Sequence, residues 1–100
     1  MDAPNVWVAK DDGTEIIRAR EIAAVSLDYN GNVTARLAGG DAAALVTLVG
    51  HRPHHDEHRP EQFHRQLISV LAELSDSSGS HLVRPVHHES LGWHWVGEPI

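Results

Sequence analysis

Apolar residues repeat at a clear helical period in one stretch of the chain, Pro60 to Leu74, PEQFHRQLISVLAEL. Phe63, Leu67, Val70, Leu71 and Leu74 stand at i, i+4, i+7, i+8 and i+11, so at about 100° per residue they form one stripe roughly 100° wide. The stripe predicts an amphipathic helix that needs a surface to cover. Pro60 suits the first helical position, and Glu61 and Gln62 suit the first turn, where negative and acceptor groups are favoured. Asp76-Ser77-Ser78-Gly79-Ser80 closes the helix and opens a loop.

Upstream the pattern changes to short strand-like runs. Val6 to Lys10 and Thr14 to Arg18 flank Asp11-Asp12-Gly13, a hairpin signal. A two-residue Asp12-Gly13 turn sets Val8 opposite Ile17, Val6 opposite Ala19 and Lys10 opposite Glu15, which gives one apolar face and a cross-strand charge pair. In the next pair, Glu21 to Asp28 and Asn32 to Leu37, side-chain alternation selects the turn. A two-residue loop would mix apolar and polar residues on one face. A three-residue loop, with Gly31 in the left-handed conformation, pairs Leu27 with Val33, Val25 with Ala35 and Ala23 with Leu37, and lets the Asp28 carboxylate accept local N–H groups.

Ala42 to Val49 has almost no polar residue and is expected as a central strand with both faces covered. His81 to Val86 and Trp93 to Val96 read as a last hairpin around His88 to Gly92, with Pro85 arguing for an edge position. The expected fold is α+β: a mostly antiparallel β-meander of about five strands, one covering helix, then a C-terminal β-hairpin. Residues 1–100 form a single domain, and a chain of this size buries roughly 65% of its unfolded surface, enough for one modest core.

Composition narrows the function classes. With no cysteine, disulfides, thiolate metal ligands and thiol nucleophiles are excluded. A formal charge of −6 disfavours a nucleic-acid partner, whose phosphates call for Lys and Arg. Nine histidines qualify that charge, since protonating them would reverse its sign in mild acid. No apolar run approaches the ~20 residues of a membrane span, and the N-terminal stretch lacks a signal-peptide pattern, so a cytoplasmic location is expected. Arg outnumbers Lys seven to one, the bias of a GC-rich bacterial coding sequence.

Four histidines, His51, His54, His55 and His58, lie between Gly50 and Pro60, and His64 follows. Imidazole is a good ligand for Zn²⁺ or Ni²⁺, so these five are the candidate metal residues. The competing readings are solvated loop histidines and a pH-responsive cluster. Pro53 and Pro60 bracket the loop, no fixed ligand motif is present, and ordering nine residues at about 1–2 kcal/mol each would have to be offset by the metal. His87, His88, Glu89 and His94 form a sparser second group.

Trp93 and Trp95 share a strand face, either closing the core or forming an aromatic platform. The serines lack a nucleophile elbow, the carboxylates form no acid/base pair, and Gly39-Gly40 lacks the lysine of a phosphate cradle. No catalytic residue and no obligate cofactor are therefore expected. Ile68 and Ala72 lie beyond the core stripe on the His64 flank, so either the sheet curls to bury them or they meet another chain. The expected function is a non-catalytic interaction or accessory module, a homodimer or one with a protein partner, using an exposed strand edge or the Ile68/Ala72 flank. A histidine-based metal-binding or proton-responsive module is the alternative.

Overall fold

The computed structural model describes residues 5–39, 44–50, 62–88, 90 and 92–100. In chain order the elements are β1 (Val6–Ala9), β2 (Ile16–Arg18), a 3₁₀ turn (Ala19–Glu21), β3 (Ile22–Leu27), β4 (Val33–Leu37), β5 (Leu45–Val49), α1 (Phe63–Ser75), β6 (His81–His88) and β7 (Gly92–Pro99). The fold is α+β, with one helix and a C-terminal strand pair as the pattern predicts. About five strands run as a meander and the last two as a hairpin, and among the described residues they divide into a sheet ordered β2-β1-β6-β7 and a second ordered β3-β4-β5. The division comes from one parallel ladder, in which Val6, Trp7 and Val8 of β1 pair with His81, Leu82 and Val83 of β6. A pairing across more than seventy residues leaves no signature in local alternation.

Next to their turns, both upstream hairpins keep the predicted registers. Val8 faces Ile17, and the Lys10 N–H donates to the Glu15 carbonyl at 2.9 Å. The turn itself is one residue earlier than expected: the Gly13 N–H returns to the Lys10 carbonyl at 2.9 Å, with Asp11 and Asp12 at the corner and Gly13 at φ 74°. A four-residue loop has the same parity as a two-residue one, so the faces are unchanged. Lys10 lies 3.9 Å from Asp12 rather than pairing with Glu15.

In the second hairpin Leu27 faces Val33 and Val25 faces Ala35, with Gly31 at φ 82°. The Asp28 carboxylate accepts the Asn30 and Asn32 N–H groups, each at 2.9 Å, and the Asn32 side-chain amide at 3.0 Å. Farther along, the register shifts by one residue between Ile22 and Ala24, so Leu37 faces Ile22 instead of the expected Ala23.

Two expectations fail. β5 lies on the outside of its sheet among the described residues, with Leu45 63% exposed and Thr47 open to solvent, while Leu48 and Val49 are fully buried. A run with few polar residues does not by itself demand two covered faces. β6, in turn, is a central strand. Pro85 fits there because of where its nitrogen points. The His81 N–H donates toward β1, to the Asn5 carbonyl at 2.9 Å, so alternate residues of β6, Pro85 included, turn their nitrogens to that side. The ladder with β1 ends at Val83, and the missing N–H of Pro85 costs no bond.

α1 begins at Phe63, and the Gln66 N–H donates to the Gln62 carbonyl at 2.9 Å. Pro60 and Glu61, expected in the first turn, lie outside the described residues. Phe63, Leu67 and Leu71 are buried, with Val70 and Leu74 packed against the same cluster beside Val6, Val8, Val33, Ala35, Leu48, Val83 and the two tryptophans. Each fully buried large apolar side chain contributes roughly 1.5–3 kcal/mol. The Phe63 ring stacks on Trp95 at 4.7 Å between centroids and 19° between planes, and the Trp95 Nε1–H donates to the Phe63 carbonyl at 2.8 Å. At the other end of the helix, Leu74 fills the space over Gly97, where a Cβ would come within 2.8 Å of its Cδ1.

Candidate interaction surface

The packing that fixes α1 also decides which candidate residues remain available. Trp93 and Trp95 are each only 7% exposed and close the core under the helix, so their rings form no platform for a ligand. The physical reason is the inward parity they share with Gly97, which aims both indoles at Phe63. His51, His54, His55 and His58 lie outside the described residues. His64 sits on α1, half-buried, with no hydrogen-bond partner at Nδ1 among the described residues.

The second histidine group disperses. His88 Nδ1 contacts the Ser90 hydroxyl at 2.9 Å and accepts the Ser90 N–H at 3.2 Å, a local turn. His94 Nδ1 meets the Gly92 carbonyl at 3.2 Å, and the His87 ring lies 5.3 Å from Trp93. No three His, Asp or Glu side chains converge on a metal-sized space among the described residues. No described helix is long and apolar enough to cross a membrane.

Among the described residues, two features remain open. The first is the α1 flank: Ile68 is 40% exposed and Ala72 is exposed, and Ile68 and Leu71 face Ala19 and Ile22 to Val25 across a cleft of about 150 Å³. That volume is below the roughly 300–1,000 Å³ of small-molecule sites. One half-exposed isoleucine is also ordinary on the surface of a monomer.

The second is an edge. Sheet edges are templates for pairing with another chain, and proteins blunt them with short strands, bulges, covering loops, lysine or proline. Among the described residues, four strands lie on the outside of their sheets, and three carry such a device. β2 has three residues. β3 carries the extra residue between Ile22 and Ala24. β5 is met by the first hairpin loop, where the Asp11 N–H donates to the Leu48 carbonyl at 2.8 Å and the Gly50 N–H donates to the Asp11 carboxylate at 3.2 Å.

β7 is different. Its eight residues, GWHWVGEP, pair with β6 in unbroken register from His81–Pro99 to His88–Gly92. It has no lysine, and its one proline is the last residue of the strand. The Ile100 N–H donates to the Ser80 carbonyl at 3.0 Å, which fixes the parity: Val96 and Glu98 turn their main-chain groups to β6, while Trp95 and Gly97 turn theirs outward. Gly97, which is almost all main chain, is exposed. On the face away from the helix β7 presents His94, Val96 and Glu98, the last 3.2 Å from Arg84 Nε.

The sequence signals for this edge were the strand-forming run and the absence of blunting residues. They were missed because the hairpin was expected to end at Val96. Compared with protein-family models, curated proteins and solved structures, the chain matches none.

Proposed function

We propose that this chain is a non-catalytic protein-interaction module that works as a homodimer, joined through the outer edge of β7. The observation that carries this reading is the contrast among the outer strands: β7 is the longest and has no shift of register, whereas the other three are short, bulged or covered. Donors and acceptors spaced along an extended strand give affinity by main-chain pairing, without a preformed pocket. The absence of a converging acid, base or nucleophile among the described residues favours binding over chemistry. Lack of cysteine and the excess of Arg over Lys support a place in the reducing cytoplasm of a bacterium.

The test is light scattering coupled to size exclusion over a wide concentration range. The expected mass is twice the 11.0 kDa of the chain. Ile68→Asp, on the separate α1 flank, is expected to leave that mass unchanged. A monomer at high concentration would overturn the reading, and a dimer broken by Ile68→Asp would move the interface to the α1 cleft.

A further inference from the structure

Resting on the homodimer reading, the geometry points to one register for the pair: two β7 strands antiparallel about a twofold axis at Val96, the Trp95 of each copy opposite the Gly97 of the other. Two properties of the strand select it. The first is hydrogen bonding. Trp95 and Gly97 turn their N–H and carbonyl groups outward, so facing each other they exchange both, and the twofold repeats the exchange for four main-chain bonds.

Side-chain matching is the second property. On the face away from the helix, this register places the His94 imidazole of each copy against the Glu98 carboxylate of the other, and the twofold makes that match twice. Glu98 Oε1 accepts from Arg84 Nε at 3.2 Å within its own chain, which leaves its second oxygen to face the other copy. Moving the axis to His94 would set His94 against His94, and moving it to Trp95 would set His94 against Val96. Neither sets an imidazole against a carboxylate.

At the axis two Val96 side chains form a pair of β-branched residues at a non-hydrogen-bonded position, where opposing Cα atoms lie about 4.5 Å apart. The result is one eight-stranded sheet, β2-β1-β6-β7 continued by the same four strands of the second copy in reverse order.

The chain has no cysteine, so a single introduced thiol reads the register directly. A Cα separation of about 4.5 Å is within disulfide range, and Val96→Cys in the full chain is expected to form a covalent dimer under mild oxidation. His94→Cys alone is expected to stay monomeric on a non-reducing gel, since its two copies lie four residues apart in register. An equimolar mixture of His94→Cys and Glu98→Cys chains is expected to cross-link. That mixture tests the same register without altering the axis.

If light scattering shows a dimer and neither Val96→Cys nor the mixture cross-links, the register is overturned while the homodimer reading stands. If the chain is a monomer, both fall. Equal cross-linking of Val96→Cys and His94→Cys would indicate random collision and would also overturn the register.

Discussion

Removing the Phe63 ring is the most informative perturbation of the fold, because two separable interactions meet there. The ring is fully buried and stacks on Trp95, while the Trp95 indole donates to the Phe63 main-chain carbonyl, which survives any substitution of the side chain. Phe63→Ala leaves a large void under the first turn of α1 and is expected to cost about 3–5 kcal/mol. Against the 5–15 kcal/mol typical of a domain this size, that is a large share, and at roughly 4–8 °C per kcal/mol it lowers the melting temperature by tens of degrees.

A double-mutant cycle of Phe63→Leu and Trp95→Phe then separates the two interactions. Phe63→Leu removes the stack and keeps the hydrogen bond. Trp95→Phe keeps an aromatic partner and removes the bond, at about 0.5–1.5 kcal/mol. The coupling is expected to stay below the about 0.5–1.5 kcal/mol of a full aromatic pair, because Trp95→Phe retains a ring for Phe63 and Phe63→Leu retains the carbonyl. Urea denaturation followed by circular dichroism gives each free energy. A Phe63→Ala cost below about 1 kcal/mol would refute the placement of the helix over β7.

Three further outcomes follow from individual residues. Gly31 sits at φ 82°, so Gly31→Ala is expected to cost about 1–2 kcal/mol in thermal denaturation and Gly31→Asn distinctly less, because asparagine tolerates the left-handed region; equal costs would contradict the turn. Gly97→Ala puts a Cβ within 2.8 Å of Leu74 Cδ1 and is expected to destabilise by about 1–3 kcal/mol, an effect that Gly97→Ala with Leu74→Ala should not show as an added clash. The Asp12 carboxyl is held below its ordinary value of 3.8, first by the Thr14 hydroxyl at 2.7 Å and then by the Thr14 N–H at 3.0 Å. Its folded pKa is depressed, so its contribution to stability is present above 3.8 and is lost as pH falls through the lower folded value. Carbon-detected NMR titration should show Asp12 moving back toward 3.8 in Thr14→Val, and an unmoved titration would remove the hydroxyl as the cause.

What could be read from the sequence depended on how local its cause was. The Phe63-Leu67-Leu71 stripe, the parity of Val8 against Ile17 and the Gly31 turn are set within a few residues, and all three stand in the structure. The pairing of Val6 with His81 is set by the whole core, and no local pattern announces it, so the division of the strands into two sheets was not legible. The error at β5 has the same origin, because a strand's place in a sheet depends on its neighbours and not on its own hydropathy. For the candidate site, alternation put Trp93 and Trp95 on one face, and only the arrival of Phe63 decides that this face is the core. The open edge of β7 was not legible because an edge is a main-chain property, and side-chain patterns report it only through the blunting residues a strand lacks.

Amide hydrogen exchange at Trp95 and Gly97, followed by NMR or mass spectrometry across a protein dilution series, tests the β7 edge most directly. Neither N–H has an acceptor within its own chain among the described residues. The homodimer predicts that both are protected at high concentration and lose protection together on dilution, while the amides of Val96 and Glu98, bonded to β6, stay protected throughout. Fast exchange of Trp95 and Gly97 at every concentration would contradict it.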